Sequence, residues 1–197
     1  MGASTEIAVY LIQNVGSLVL ILIVFRGMLH VSRANFYNPI SQMVVKLTNP
    51  LLYPLRRILP VMGRIDWAVI ALSIILQSAI LGGIAVVAGD IWTIPSLPVL
   101  VIWGAIGVLA LLTNIYFFFL ILMIIVSWVA PRHQHPAIEL IWQISEPVMS
   151  PARALLPNMG GIDFSPILIF IGINVFQIAL RHMAAATGLP TGLVMGI

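Results

Sequence analysis

Four runs of apolar residues, each long enough to cross a lipid bilayer, constrain this chain more than any other feature of its sequence. They cover residues 7–31 and 67–88, a stretch within residues 98–130, and residues 165–187. A transmembrane helix needs about 20 apolar residues to cross the hydrocarbon layer. Because 61% of the residues are hydrophobic and only 8% are charged, the chain has too few charged residues to fold as a water-soluble globular protein. We therefore predict an all-α membrane protein with about four transmembrane helices.

The third run is longer than the others. Residues 98–130 number 33, which at a rise of about 1.5 Å per residue make a helix of roughly 50 Å. This length exceeds the thickness of the hydrocarbon layer, so two alternatives remain. The helix either extends beyond the membrane or breaks near Gly104 or Gly107.

The chain contains an internal duplication with an offset of 97 residues. The stretch NPLLYPLRRILPVMGRID at residues 49–66 matches EPVMSPARALLPNMGGID at residues 146–163, with nine of 18 positions identical. This predicts two tandem repeats, residues 1–97 and 98–197, with two spans in each. Because both repeats then enter the membrane from the same side, we expect a parallel pair about a pseudo-two-fold axis along the membrane normal. The motif residues are Pro50, Pro54, Arg56, Pro60, Gly63 and Asp66, and then Pro147, Pro151, Arg153, Pro157, Gly160, Gly161 and Asp163.

An amphipathic segment precedes the motif in each repeat, at residues 39–50 and 136–147. Both segments begin with proline, which suits the first position of a helix. Apolar residues follow at the spacing of one helical face, Ile40, Met43, Val44 and Leu47 in the first repeat and Ala137, Leu140, Ile141 and Ile144 in the second. Such a short interfacial helix either covers the ends of the spans or forms a surface for lipid or a partner protein.

The prolines of the motif predict the end of each amphipathic helix, because proline removes a backbone donor and fixes φ. Gly63 and Gly160 then permit a turn with positive φ. Asp66 and Asp163 directly precede the second and fourth spans, where a carboxylate stabilises the N-terminus of a helix.

Arg56 and Arg153 each lie ten residues before their aspartate. Three alternatives follow for each arginine. It pairs with the aspartate because a charge at this depth is costly alone, it extends to lipid phosphates, or it takes a direct part in transport or catalysis.

The basic residues are distributed unevenly along the chain. Six of the nine lie between residues 26 and 64, and two lie in the connection between the third and fourth spans. The connection between the second and third spans has none. By the positive-inside tendency, both basic connections face the cytoplasm of a bacterial inner membrane and both termini face the periplasm. Arg181, near the outer end of the fourth span, is the exception.

The second repeat resembles the YggT family of bacterial inner-membrane proteins, whose relatives occur in Gram-positive bacteria and chloroplasts. The residues that carry the resemblance are SWVAPRHQHPAIELIWQISEPVMSPARALLPNMGGIDFSP, at positions 127–166. The first repeat departs from this pattern, with Arg64 in place of the second glycine, residues 67–69 in place of Phe-Ser-Pro, and His30–Val31 in place of Ser-Trp. The resemblance extends over essentially the whole chain.

This resemblance implies several roles and transfers no catalytic residues. Family members are associated with osmotic stress and ion homeostasis, with cell division or envelope organisation, and in chloroplasts with cytochrome b assembly and nucleoid organisation. The leading hypothesis is a non-enzymatic membrane protein of osmotic or envelope stress that forms a small ion pathway or regulates one. The alternative is a scaffold or assembly factor that recruits other membrane proteins.

Polar residues near the centres of the spans are the candidate site. The offset pairs Ser17 with Asn114 and Gln77 with Asn174, at one depth in the membrane. Two such pairs could line a shared permeation axis, or they could form hydrogen bonds between helices that only stabilise the bundle. No Asp, Glu or Lys lies at mid-span, which argues against a carrier that uses carboxylates.

The sequence predicts no cofactor, no metal site and no nucleic-acid partner. It has no cysteine, no phosphate-binding loop and no nucleophile elbow. His133 and His135 could supply two metal ligands, but no third ligand is spaced with them, so a solvated turn is the preferred interpretation. The expected partners are the lipid bilayer and either other membrane proteins or further copies of this chain.

Overall fold

A computed structural model of the protein describes residues 2–89, 95–129, 135–156, 163–190 and 194. Four helices in these ranges are long and apolar enough to cross a membrane: α1 (Ala3–Val31), α3 (Trp67–Val87), α4 (Leu97–Val129) and α6 (Ser165–Ala186). Two further helices, α2 (Pro39–Arg56) and α5 (Pro136–Leu155), follow α1 and α4. The predicted all-α class and the number of spans are confirmed.

Helix α4 is continuous over its 33 residues, which excludes the second of the two alternatives for this run. Gly104 and Gly107 do not break it. Instead they bring α4 close to α3, because a Cβ atom at Gly104 would lie 2.3 Å from Ser78 Oγ and 2.8 Å from the carbonyl oxygen of Ile74. The glycines therefore serve the packing of two spans.

The interfacial helices begin where the sequence predicts. The side chain of Asn38 accepts a hydrogen bond from the backbone of Ile40, and Pro39 occupies the first helical turn. In the second repeat His135 Nδ1 accepts from the backbone of Ala137 at 3.2 Å, ahead of Pro136. Both helices thus have a polar cap followed by proline, an arrangement that satisfies the first backbone donors.

The predicted ends of these helices, at residues 50 and 147, are wrong. Helix α2 continues through Pro50 and Pro54 to Arg56, and α5 continues through Pro147 and Pro151 to Leu155. The prolines of α2 lie on its exposed face, where the carbonyls that lose their hydrogen bonds are not enclosed. The opposite face is buried through Val44, Thr48 and Leu52, and this packing offsets the cost of proline in the helix.

A short hairpin connects α2 to α3. Strand β1 (Val61–Met62) pairs antiparallel with β2 (Ile65–Asp66), and Gly63 at the turn has a φ of 62°, the positive value that the sequence predicts. Pro60 precedes β1 and lies outside the helix. Pro157, Gly160 and Gly161, the corresponding positions of the second motif, lie outside the described residues.

The two repeats bury equivalent residues in equivalent places. In the first, Leu52 of α2 packs with Ile23 of α1 and with the start of α3. In the second, Met149 of α5 packs with Leu120 of α4 and with α6. Met149 and Leu120 each lie 97 residues after their counterparts, so the interfacial helix of each repeat occupies the same position against its two spans.

The four spans lie in the order α1, α3, α4, α6. Extensive packing joins α1 to α3, α3 to α4 and α4 to α6, but the described residues show no comparable packing of α6 against α1. A two-fold axis would require that contact as the equivalent of α3 against α4, so the predicted pseudo-two-fold arrangement is wrong. The sequence offset shows which residues are equivalent, but it does not show how the two repeats associate. That arrangement depends on the side chains at the interfaces between the spans.

Polar contacts join the two repeats beside the interfacial helices. The backbone of Asn35 donates to Gln143 Oε1 at 2.8 Å, and Asn38 Nδ2 donates to the carbonyl oxygen of Pro136 at 2.8 Å. Asn38 is buried, so this bond satisfies a side chain that would otherwise be costly to enclose. The start of α2 is thereby held against the start of α5.

Candidate functional site

A cavity of about 200 Å³ lies among three spans, and polar side chains form one side of it. Helix α1 contributes Gln13, Asn14 and Ser17, α3 contributes Gln77, and Gly107 of α4 lies beside Gln77. A cavity with apolar walls stays dry, whereas a cavity of this size with polar walls can hold ordered water. The cavity therefore suits a small polar or hydrated ligand.

Local features of the helices bring these residues together. Tyr10, Gln13, Asn14 and Ser17 recur at the spacing of one face of α1. Gly107 makes room for the side chain of Gln77, because a Cβ atom there would lie 2.9 Å from Gln77 Nε2. The sequence identified Gln77 and Ser17 as candidates, but the contribution of Gly107 depends on how α3 and α4 pack.

Most of the polar groups in the cavity have no hydrogen-bond partner in the described part of the chain. Asn14 Nδ2 donates to the carbonyl oxygen of Tyr10 at 2.8 Å. No described residue forms a hydrogen bond with the side chain of Gln13, Ser17 or Gln77, although Gln77 is only 5% exposed. These groups are therefore available to bind water or a polar solute.

An apolar region closes the cavity toward the interfacial helices. Leu20 and Leu111 line the cavity and also belong to a buried cluster that includes Val24, Met28 and Ile144. The side chains of this cluster are at most 7% exposed. The polar cavity and the basic connection between α1 and α3 are thus separated by apolar side chains.

The polar candidates of the second repeat do not face this cavity. Asn114 accepts a hydrogen bond at 2.8 Å from Gln177, which joins α4 to α6. Asn174 is exposed, and its amide donates to the carbonyl oxygen of Phe170 in the same helix. The structure therefore does not bring Ser17, Gln77, Asn114 and Asn174 to one axis.

Both arginines of the motif pair with their aspartates, the first of the three alternatives that the sequence leaves open. Arg56 Nη2 pairs with Asp66 Oδ2, and Asp66 Oδ1 accepts from the backbone of Val69 at 3.3 Å. In the second repeat Arg153 Nε and Asp163 Oδ2 are 3.1 Å apart. In the first repeat, the carboxylate thus connects the end of the interfacial helix to the N-terminus of the next span.

The pair in the second repeat is more open and includes an additional acid. Arg153 Nη1 lies 3.0 Å from Glu146 Oε2, and Asp163 Oδ1 accepts from the backbone of Ser165 at 2.9 Å. Burial alone would raise the pKa of Asp163, but the hydrogen bonds from Ser165 and Arg153 lower it below its ordinary value. Burial likewise opposes the charge of Arg153, but its bonds to Asp163 and Glu146 raise its pKa. Both groups are charged at neutral pH.

Arg26 has a structural role that the sequence analysis does not predict. Its Nη1 atom lies 3.1 Å from the carbonyl oxygen of Val45, from Thr48 Oγ1 and from Asn49 Oδ1. It therefore attaches α2 to α1. The sequence feature that could have indicated this role is an arginine inside an apolar run, followed by a helix in which a hydroxyl and an amide side chain are adjacent.

The described residues contain no group of three His, Asp or Glu side chains that could hold a metal ion. His135 instead caps α5, and His133 lies outside the described residues.

Comparison with known proteins identifies relatives along nearly the whole chain. The family model described as CCB3/YggT matches residues 5–86 and 102–184, one segment in each repeat. The uncharacterized protein PA0392 of Pseudomonas aeruginosa is 42% identical over 196 residues, 96% of each chain. The uncharacterized protein YggT of Escherichia coli (strain K12) is 35% identical over 179 residues, which cover 91% of this chain and 92% of the relative. No solved structure matches this chain.

The two segments of the family match coincide with the two sets of spans, so the tandem repeat is confirmed by an independent comparison. The apolar helices and the matched relatives together identify a multi-pass membrane protein, and this chain belongs to the CCB3/YggT family.

Proposed function

We propose that the protein is a non-enzymatic inner-membrane protein that acts in osmotic or envelope stress and in ion homeostasis, as a small gated ion pathway or as the regulator of one. The observation that supports this proposal is the cavity in which Gln13, Ser17 and Gln77 have no hydrogen-bond partner in the described part of the chain. Amide and hydroxyl oxygens can replace part of the hydration shell of a small cation.

Gating would occur at the apolar region below the cavity. Leu20 and Leu111 separate the polar cavity from the basic side of the protein. A hydrophobic constriction can block ions by excluding water, and it opens when neighbouring helices move apart. Tension in the membrane during osmotic stress would supply such a movement, which links the geometry to the proposed role.

The proposal places both basic connections in the cytoplasm and both termini in the periplasm. The charges that support it are five between α1 and α3 and two between α4 and α6, with no basic residue between α3 and α4: Arg33, Lys46, Arg56, Arg57, Arg64, Arg132 and Arg153. Reporter fusions at residue 58 and at the C-terminus test this orientation. Activity of a cytoplasmic reporter at both positions would contradict it.

The pathway is tested by ion flux from liposomes that contain the purified protein, with an osmotic downshift as the stimulus. We expect wild-type protein to release potassium faster than empty liposomes, and Gln77→Leu to abolish most of the increase. Asn174→Leu is the matched control, because this amide is equivalent in sequence but exposed on α6. Leu111→Ser should raise the resting flux by introducing a polar group into the constriction.

Two results would contradict the pathway. One is wild-type flux equal to that of empty liposomes both at rest and under stimulus, with Leu111→Ser equally inactive. The other is equal loss of flux in Gln77→Leu and Asn174→Leu, which would mean that the cavity is not the ion pathway.

The scaffold alternative is favoured by the apolar residues of α2 and not by the equivalent face of α5. Leu140 and Ile144 of α5 are buried against the bundle, so they cannot capture a partner. On α2, by contrast, Met43, Leu47 and Leu51 form an exposed apolar row, 53%, 54% and 44% exposed. If the scaffold is the correct function, a photo-cross-linker at Met43 will capture one defined membrane protein while the flux assay stays negative.

A further inference from the structure

Helix α2 has three distinct faces. Val44, Thr48 and Leu52 are buried against the spans, and Met43, Leu47 and Leu51 form the exposed apolar row. The third face contains Lys46, Asn49, Tyr53 and Arg56, which recur at helical spacing and line a concavity of about 470 Å³. An interfacial helix with a basic face beside an exposed apolar face matches the chemistry of a lipid, which has a charged headgroup above apolar chains.

The basic face has unused capacity to bind an anion. Lys46 forms no hydrogen bond or ion pair with any described residue. Arg56, whose side chain is 31% exposed, forms an ion pair with Asp66 through Nη2 and with no other described residue. Arg57 lies next to this face with its guanidinium 4.8 Å from the ring centre of Tyr53. Lys46, Arg56 and Arg57 therefore carry three positive charges with Asp66 as the one anion paired to them in the described structure.

The second repeat lacks this set, although its helix occupies the equivalent position. The residues equivalent to Lys46, Asn49 and Arg57 are Gln143, Glu146 and Ala154. Glu146 pairs with Arg153, so in the second repeat a side chain of the same helix supplies a second negative charge to the motif arginine. The corresponding position in the first repeat, Asn49, is neutral and accepts a hydrogen bond from Arg26. The two copies therefore differ in charge where their folds agree.

We infer that the basic face of α2 binds the headgroup of an anionic phospholipid, with Lys46 and Arg56 at the phosphate and with the acyl chains beside Met43 and Leu47. Charge complementarity selects the headgroup, and the adjoining apolar row distinguishes a lipid from a free anion. The inference does not depend on the polar cavity, which lies among the spans. Each basic side chain near a membrane surface contributes about five-fold to binding of anionic lipid.

The experiment is native mass spectrometry of the full chain in detergent micelles with added phosphatidylglycerol or phosphatidylcholine that have the same acyl chains. We expect at least ten-fold tighter binding of one phosphatidylglycerol. Lys46→Gln, which breaks no hydrogen bond, should weaken this binding about five-fold, and Asn49→Glu, which copies the second repeat, should weaken it by a similar factor. Arg64→Gln removes one charge from the same connection but outside the basic face, so it should change the binding less than two-fold.

Several outcomes would overturn the inference. Equal affinity for the two lipids would show that the headgroup is not recognised. Equal effects of Lys46→Gln and Arg64→Gln would show a diffuse attraction rather than a site. Displacement of phosphatidylglycerol by millimolar inorganic phosphate would show that the face binds free anions. Unchanged binding in both Lys46→Gln and Asn49→Glu, with thermal midpoints equal to wild type, would exclude this face as the site.

Discussion

Arg56 at the end of α2 is paired with Asp66, the residue that caps the N-terminus of α3. One carboxylate thus receives a guanidinium from the interfacial helix and a backbone N–H from the following span. The side chain of Asp66 is 2% exposed and that of Arg56 is 31% exposed. The equivalent pair, Arg153 with Asp163, is 39% and 46% exposed. The same motif is therefore expected to contribute differently to the stability of the two repeats.

The first prediction follows from this difference in burial. Asp66→Asn keeps an acceptor for the helix cap but leaves Arg56 without its counter-ion, and removing one partner of a buried pair costs about 3 kcal/mol. Asp163→Asn should cost less than about 1 kcal/mol, because solvent screens an exposed pair. Unfolding in detergent micelles measures both changes. Equal destabilisation by the two substitutions would contradict the assignment.

The second prediction concerns pH. The lowered pKa of Asp163 means that its pair stabilises the folded protein fully above the ordinary carboxyl pKa of 3.8. The contribution is lost as pH falls through the still lower pKa of the folded state. The difference in thermal midpoint between wild type and Asp163→Asn should therefore be constant from pH 7 to pH 5 and should shrink as the pH falls below 3.8. A difference that grows on acidification has the wrong sign for this pair.

The third prediction concerns the contact between α3 and α4. Gly104→Ala places a methyl group 2.8 Å from the carbonyl oxygen of Ile74, which cannot move without separating the spans. We expect a loss of about 1–3 kcal/mol in the free energy of unfolding. Gly172→Ala is the control, because its Cβ would meet no atom within 4 Å and alanine favours a helix. A stable Gly104→Ala protein with an unchanged cross-linking distance between α3 and α4 would show that the contact is not required.

The fourth prediction concerns Arg26, which attaches α2 to α1. Arg26→Met removes the contacts to Val45, Thr48 and Asn49, which share the two protons of Nη1, and a hydrogen bond to a charged group is worth about 1.5–3 kcal/mol. Amide exchange of residues 39–56 should become at least about ten-fold faster while exchange in α4 is unchanged. Arg181→Met serves as the control because this exposed arginine of α6 forms no hydrogen bond or ion pair with a described residue. Equal amide exchange rates of residues 39–56 in the two variants would show that Arg26 does not attach α2 to α1.

The sequence by itself determined the elements of the fold. The apolar runs required four spans because backbone groups in lipid must be hydrogen-bonded within helices. The 97-residue offset identified the repeat, and the spacing of Arg56 from Asp66 suggested their pair. These features are local or depend on matching one stretch of sequence with another, so they can be read without knowing how the helices pack.

The tertiary structure decided what the spans place together. Ser17 and Gln77 line one cavity, whereas Asn174, equivalent to Gln77, is exposed. The offset could not predict this difference, because the glycines at 104 and 107 let α4 approach α3 while α6 has no comparable contact with α1 in the described structure. The prolines inside α2 are likewise accepted because burial of the opposite face outweighs their cost. Helix propensity and periodicity act along the chain, but the packing of one face against another depends on residues that are distant in sequence.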